Sequence, residues 1–175
     1  MKLLKEFDYK DYKLDGTVGV RPSARAIIIR DDKLALVYSE KYDYYIFAGG
    51  GIDEGESKET ALIREIREET GLDVIPESIK EYGLIVRREH GKIDDLFIQE
   101  NYFYLCDVSD KVLPQKLDNY EAEERYILRW VTPQEAIETN MNHSHIKQEN
   151  ATFCARLMER ETWLMERLIS EGYFR

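Results

Sequence analysis

Three glutamates with helical spacing mark the part of the sequence best suited to do chemistry. Glu65, Glu68 and Glu69 lie in the segment between Gly50 and Leu72. At about 100° per residue they fall in one sector of a helix, and separations of three and four residues make their side chains neighbours. Like charges at these spacings repel, and a hard cation such as Mg²⁺, which prefers carboxylate oxygen, would remove the repulsion. The alternative is an acidic, solvated helix face, as most acidic runs are.

The residues around the glutamates predict the helix that positions them. We expect it to span about Ser57–Thr70, with Ser57 as the N-cap and Gly71 just beyond the C-terminus. The apolar residues Leu62, Ile63 and Ile66 occupy a different sector, which predicts the buried face.

The fixed positions of this stretch resemble the signature of the Nudix hydrolases, G-x5-E-x7-R-E-U-x-E-E-x-G-U, where U is aliphatic. Those positions are filled by Gly50, Glu56, Arg64, Glu65, Ile66, Glu68, Glu69, Gly71 and Leu72. The resemblance implies that Glu65, Glu68 and Glu69 bind the metal and that Gly50 offers it a backbone carbonyl. It gives Glu56 and Arg64 mainly orienting roles. Arg64 also lies four residues before Glu68, so it can pair with a carboxylate of the cluster.

The resemblance also implies the reaction. Members of the family cleave a diphosphate linkage in a nucleoside diphosphate derivative such as a sugar nucleotide, a dinucleotide or a nucleoside triphosphate. We expect Mg²⁺ as the cofactor, with Mn²⁺ able to substitute. Divalent ions neutralise the charge that develops on the diphosphate and activate water for attack at phosphorus.

A general base outside the signature is expected from the same resemblance, because family members often carry one before a late strand that contains tryptophan. Here the acidic segment Asn119–Glu124 precedes Trp130, and the candidates are Glu121, Glu123 and Glu124. Glu124 is the preferred one. A solvated acidic loop is the alternative interpretation.

Substrate contacts outside the signature are less constrained by the sequence. The candidates are Arg21, Arg25, Arg87 and Arg88 for phosphate oxygens and Tyr42, Tyr44 and Tyr45 for stacking on a base. Arg25, Tyr45 and Arg87 are preferred among them. Ordinary packing in the core or at the surface is the alternative for each.

The fold class expected is α+β, and the resemblance implies a mixed sheet sandwiched between helices in one domain over residues 1–175. The hydrophobic pattern predicts strands at about 24–30, 33–39, 80–88, 96–108 and 126–131, with a loop over 111–120. Residues 1–20 are expected to form a short strand and a hairpin. An apolar stripe predicts a long final helix at about 147–170, which either packs on the core or mediates a homodimer.

The amino-acid composition limits the classes of molecule that the protein is expected to bind. The 175-residue chain has a net charge of −10, which disfavours nucleic acid, and it lacks the ~20-residue apolar run of a membrane span. Its only cysteines, Cys106 and Cys154, are too few for a disulfide scaffold, so we expect free thiols in a reducing cytoplasm. The expected partner is a small nucleotide-derived substrate, bound by a monomer or a homodimer.

Two other functions use the same fold and stay open at the level of sequence. An isoprenoid-diphosphate isomerase usually needs a catalytic cysteine, and Cys106 lies in an apolar strand pattern, which argues against that function. A non-catalytic sensor of nucleotide derivatives usually has an added DNA-binding module or has lost ligand glutamates, and neither sign is present.

Overall fold

A five-stranded mixed sheet forms the centre of the structure. The computed structural model describes residues 1–142 and 151–175. In spatial order the strands of this sheet are β1 (Leu3–Asp8), β8 (Lys80–Glu89), β9 (Leu96–Leu105), β2 (Val18–Ile27) and β6 (Gly49–Gly51). The pairs β1–β8 and β2–β9 are parallel, whereas β8–β9 and β2–β6 are antiparallel.

Two smaller sheets and four helices complete the described fold. The second sheet is built on β4 (Lys33–Ser39). Three strands pair with it in antiparallel orientation: β3 (Ile29–Arg30), β5 (Tyr44–Phe47) and β11 (Tyr126–Val131). The third pairs β7 (Leu72–Val74) with β10 (Val108–Val112). The helices are α1 (Lys58–Thr70), α2 (Asn119–Glu124), α3 (Pro133–Met141) and α4 (Ala151–Ser170).

The strand β2 shows how the large sheet is covered on both faces. Ala24 and Ala26 point to one face and pack with Leu62 and Ile66 of α1. Ile27 points to the other face, in a second cluster with Leu164, Leu168 and other residues of α4. Alternation along a strand that is buried on both sides produces this division. The expected α+β fold, with a mixed sheet between helices, is confirmed.

The helix α1 begins and ends where the sequence predicts. The Ser57 hydroxyl accepts a hydrogen bond from the Thr60 amide at 3.1 Å. Gly71 adopts a left-handed conformation (φ 73°) and its amide donates to the Arg67 carbonyl at 3.0 Å. Local capping therefore fixes the register of the glutamates that the helix carries.

Other expectations differ from the structure. The N-terminal strand pairs in parallel with β8, about 80 positions along the chain, and forms no hairpin. The long strand expected over 96–108 ends at Leu105, and a separate strand begins at Val108 to pair with β7. The expected loop over 111–120 overlaps the end of β10 and the start of α2. For the strands the deciding contact is distant in sequence, so local patterns do not contain it, whereas α2 begins with a local capping box.

The final helix is α4, whose described residues start at Ala151; the part of the prediction covering residues 147–150 lies outside the described residues. In the described chain, no helix is long and apolar enough to span a membrane.

Candidate active site

Arg64 holds together the residues that connect α1 to the glycine strand β6. Its guanidinium donates two hydrogen bonds to Glu56, at 2.9 and 2.8 Å, and one to Glu65 at 2.6 Å. It also donates to the Gly51 carbonyl at 3.0 Å and lies 3.5 Å from a carboxylate oxygen of Glu68. Bidentate pairing with a planar guanidinium fixes both partners in orientation as well as position. These contacts match the orienting roles that the resemblance implies for Glu56 and Arg64.

Glu65 and Glu68 differ in how far they are removed from water. The Glu65 side chain is 15 % exposed, and burial raises the pKa of its carboxyl, which the neighbouring Arg64 opposes. The Glu68 side chain is 31 % exposed and lies 3.6 Å from the ammonium of Lys116. Both carboxylates therefore sit at the boundary between the protein and solvent, where a ligand can reach them.

Glu69 is the most enclosed of the three signature glutamates. The residue is 2 % exposed, and its carboxylate accepts a hydrogen bond of 2.7 Å from the Gly49 amide. Burial raises its pKa well above the usual range, and the charges of Glu121 and Glu65 act in the same direction. The Gly49 amide and the Arg25 guanidinium oppose that rise. This carboxylate is thus tied to the backbone of β6 beside other negative charge.

Gly50 permits the close approach of β6 to α1. A methyl group placed on its α-carbon would collide with the carboxylate of Glu65. Gly50 also pairs with Ala24, so the strand places it opposite the buried face of the helix. Only glycine leaves room here for the carboxylate to lie against the backbone.

The acidic segment before Trp130 is the short helix α2. Glu121 is 4 % exposed, and its carboxylate accepts hydrogen bonds from the Asp118 amide at 2.7 Å and the Tyr120 hydroxyl at 3.0 Å. Its charge contributes to raising the pKa of both Glu65 and Glu69, so the electrostatic field of α2 acts on the signature glutamates.

The other two carboxylates of α2 have different neighbours. Glu124, the preferred general base in the sequence analysis, accepts hydrogen bonds from the Tyr44 hydroxyl at 2.6 Å and the Ser39 hydroxyl at 3.3 Å. Glu123 forms an exposed ion pair with Lys41. The charge of Glu121 thus acts on Glu65 and Glu69, whereas the carboxylate of Glu124 contacts β4 and β5.

The three preferred substrate residues occupy buried positions. Arg25 donates to the Asn101 side chain at 3.1 Å and to the Phe47 carbonyl at 2.9 Å, and its charge reaches Glu69. Arg87 is 1 % exposed and forms a 3.0 Å ion pair with Glu89; burial lowers its pKa.

Tyr45 packs in the hydrophobic cluster beneath α3 and α4 and is 5 % exposed. Its ring lies 4.8 Å from that of Tyr38. Packing therefore accounts for its position, and the structure gives its ring no open face for a base. Its role in substrate binding remains a prediction without support from this geometry.

The donor set around α1 fits a divalent cation. Hard oxygen donors surround the site, and its negative charge exceeds the charge of Arg64. The carboxylates concerned are Glu56, Glu65, Glu68, Glu69 and Glu121. Among the described residues no three acidic, histidine or cysteine side chains already converge on a single metal position. Arg64 Nη1 instead stands between Glu65 and Glu68, at 2.6 and 3.5 Å. The chemistry of these donors suits Mg²⁺ or Mn²⁺.

Comparison with known proteins decides the family. The family model described as the NUDIX domain matches residues 20–151, which include α1, β6 and α2. This chain belongs to the Nudix family. The resemblance read from the signature is confirmed, and with it the expectation of a Nudix-type pyrophosphohydrolase.

Relatives and solved structures of Nudix proteins agree with that assignment. The chain is 31 % identical over 118 residues to a CTP pyrophosphohydrolase from Escherichia coli, covering 65 % of this chain and 76 % of that protein. It is 35 % identical over 74 residues to an ADP-ribose pyrophosphatase from Methanocaldococcus jannaschii, covering 41 % of this chain and 43 % of the relative. A Nudix hydrolase structure from Nitrosomonas europaea superposes with a TM-score of 0.54 at 18 % identity, covering 81 % of this chain and 90 % of the other, which supports the fold.

Nudix hydrolases act on small nucleotide-derived substrates and generally use divalent metals, and both statements apply to this chain at the level of the family. The short helix α2, which carries Glu121, was not predicted from the sequence. The signal was available, because Asp118 followed by Glu121 has the three-residue spacing of a helix N-terminus.

Proposed function

We propose that this Nudix protein is a Mg²⁺-dependent hydrolase that cleaves a diphosphate linkage in a nucleoside diphosphate derivative. The observation that carries the proposal is the position of Glu65, Glu68 and Glu69 on α1. Glu65 and Glu69 lie against the glycine strand β6, and Glu68 lies at ion-pair distance from Arg64. These residues and the Gly50 carbonyl would hold the cation, and Mn²⁺ would substitute for Mg²⁺. When bound, the ion supplies charge neutralisation at the diphosphate and activation of water.

The protein groups around the cation site have separable tasks. Arg64 would keep Glu56 and Glu65 oriented through its bidentate and single hydrogen bonds. Glu121 of α2, whose charge acts on Glu65 and Glu69, would receive the proton of the attacking water. Water would then attack one phosphorus in line, and the second phosphate would leave with the bridging oxygen.

Positive charge on β2 would attract the anionic substrate to an acidic protein. Arg21 is exposed and lies beside Gly51, close to the end of the cation site. Arg25 lies deeper, and its charge acts on Glu69. Fixed guanidinium groups next to a diphosphate would offset part of the repulsion that a net charge of −10 exerts on it.

The substrates to test first follow from the relatives. One relative is named for CTP and the other for ADP-ribose, so a nucleoside triphosphate and a nucleoside diphosphate sugar are both candidates. We further propose that residues 1–175 act as one domain in the cytoplasm, as a monomer or homodimer, without a nucleic-acid partner. The two free, buried cysteines are consistent with a reducing compartment.

The test is a substrate panel with defined products. Nucleoside triphosphates, ADP-ribose, sugar nucleotides and dinucleotides would be incubated with the protein and Mg²⁺, Mn²⁺ or EDTA, and the products separated by anion-exchange chromatography. We expect at least one substrate to release a nucleoside monophosphate only when the metal is present. Tight binding of a panel member without turnover would instead indicate a sensor, and turnover that is unaffected by EDTA would contradict the metal dependence.

A further inference from the structure

A cavity of about 570 Å³ opens on the side of the large sheet that faces α4. The residues that line it and matter here are Arg21, Arg87, Glu89, Phe97, Gln99 and Arg156. Arg21 belongs to β2, Phe97 and Gln99 to β9, Arg87 and Glu89 to β8, and Arg156 to α4. The cavity thus crosses three neighbouring strands and is large enough for a nucleoside.

Gln99 lies in the middle of the cavity floor. It is directly opposite Arg21 on β2 and Arg87 on β8, so the three side chains form one row on one face of the sheet. Gln99 is 7 % exposed, and its side-chain oxygen has no hydrogen-bond partner among residues 1–142 and 151–175. A buried amide oxygen without a donor is unfavourable, so its position in this row indicates a ligand group that donates to it.

Beyond Arg21, the strand β2 leads from the cavity to the glycine strand β6. Ser23 pairs with Gly51 on one side and with Asn101 on the other, and it is 1 % exposed. Within the described chain its hydroxyl is also buried without a partner. Gln99 and Gly51 lie on strands separated by β2, which is a span of about 10 Å across the sheet. That span is of the same order as the reach of a nucleotide from its base to its phosphates.

Arg87 and Arg156, two of the three arginines that line the cavity, are already paired with carboxylates. The carboxylate of Glu89 pairs with Arg87 at 3.0 Å and with Arg156 at 2.8 Å, and Arg156 also pairs with Asp11 at 2.7 Å. These arginines therefore bring little surplus charge for a second phosphate group. The Gln99 amide, whose oxygen can accept and whose NH2 group can donate, lines the cavity together with the partly buried ring of Phe97, and this pair suits an uncharged planar group.

We propose that this cavity binds the nucleobase of the substrate and that the Gln99 amide recognises a base edge with adjacent hydrogen-bond donor and acceptor atoms. The assignment rests on the proposed function, because the phosphates then extend past Arg21 to the glutamates of α1. Gln99 is in this account a specificity-determining residue, and the chemistry at phosphorus does not require it.

The direct test measures binding without metal and without turnover. Isothermal titration in EDTA would compare AMP, CMP, GMP and UMP with ribose 5-phosphate, using wild-type protein, Gln99→Met and, as a control, Gln134→Met on the exposed side of α3. We expect at least one nucleotide to bind the wild type about tenfold or more tightly than ribose 5-phosphate, because unmet hydrogen bonds in a buried site discriminate strongly. Gln99→Met is expected to lose that preference, and Gln134→Met to keep it.

Two results would overturn the assignment: no nucleotide preferred over ribose 5-phosphate in the wild type, or a full preference in Gln99→Met. Thermal unfolding would establish that the variant is folded. If Gln99→Met does not fold, Gln99→Glu, which keeps the shape and replaces the donor with a charge, takes its place with the same expectations. The proposed function fails separately, by absence of metal-dependent turnover in the substrate panel, which this titration does not use.

Discussion

At the scale of single residues, the site depends on how Arg64 distributes one positive charge among several carboxylates. Glu56 receives two of its hydrogen bonds and Glu65 one, while Glu68 lies at ion-pair distance. A divalent cation entering this group would compete with Arg64 for Glu65 and Glu68. Glu56 would keep Arg64 in place during that exchange, which explains why a signature position is filled by a glutamate that need not bind metal.

The carboxylates of α2 provide a matched pair for testing the general base. We expect Glu121→Gln to lower kcat by about 100-fold or more, because it removes the proposed proton acceptor, whose charge acts on Glu65 and Glu69. Glu124→Gln is expected to stay within about fivefold of the wild type, since hydrogen-bonding residues of β4 and β5 occupy its carboxylate. Steady-state kinetics at saturating metal would measure both, and a larger loss in Glu124→Gln would restore the assignment made from sequence.

The cysteines separate hydrolysis from isomerase chemistry. Burial raises the pKa of the Cys106 thiol to about 12 and also raises the pKa of Cys154. A thiol with a raised pKa carries almost no thiolate at pH 8, so a disulfide reagent should label neither cysteine in the native protein and both in urea. The labelling rate should increase only as the pH approaches the raised pKa. Rapid labelling of Cys106 at pH 8 under native conditions would reopen the isomerase function.

At the scale of elements, the contact between β6 and α1 determines where Glu65 can lie. In Gly50→Ala the new methyl group would meet the flexible end of the Glu65 side chain, so it would displace the carboxylate with little effect on folding. We expect kcat/KM to fall by about tenfold or more with a nearly unchanged Tm, since small displacements of catalytic groups are costly. Gly51→Ala is the control, because its nearest neighbour is Arg21 at an ordinary 3.5 Å. Equal losses in the two variants would show that the Glu65 contact is not what matters.

The docking of α4 depends on a buried ion pair. Arg160 and Glu161 are fully buried and paired, Arg160 donates to Asn101 at 2.8 Å, and Glu161 accepts from the Phe47 amide at 2.9 Å. Removing one charge of a buried pair leaves the other uncompensated, so Glu161→Gln is expected to lower the free energy of unfolding by about 3 kcal/mol.

Urea unfolding would measure that loss, with Glu166→Gln on the exposed side of the same helix as the control. A change below about 1 kcal/mol for Glu161→Gln would mean that the pair contributes no more than a surface ion pair.

The elements also show what sequence can and cannot predict. The helix α1 was predictable because its caps, Ser57 and Gly71, and its apolar face are all local features. The short helix α2 was missed even though its start had the spacing of a capping box, because an acidic run also fits a loop. The parallel pairing of β1 with β8 was not predictable, since no local pattern identifies a partner so distant along the chain.

The same limit applies to the site. The signature fixed the positions of Glu65, Glu68 and Glu69, because one helix carries all three. The roles of Arg25, Tyr45 and Arg87 depended on which face of a strand points into the core, and neighbouring strands decide that. The unpartnered side-chain oxygen of Gln99 becomes apparent only once three strands lie side by side.

At the scale of the whole molecule, an acidic protein must bind an anionic substrate. The net charge of −10 repels nucleotides at long range, while arginines on β2 and the cation would attract them locally. In the proposed division of the site, the phosphates would lie at α1 and β6, where a bound cation would supply charge. The uncharged base would lie in the cavity beneath α4, where Arg87 and Arg156 are already paired.

The central claim, that the glutamates of α1 hold the divalent cation, is tested most directly by Mn²⁺ binding followed through its free-ion electron paramagnetic resonance signal. We predict that Glu68→Gln binds Mn²⁺ at least about tenfold more weakly than the wild type, while Glu59→Gln, an exposed position on the same helix, binds it as the wild type does. Wild-type affinity in Glu68→Gln, or no Mn²⁺ binding by the wild type, would contradict the account.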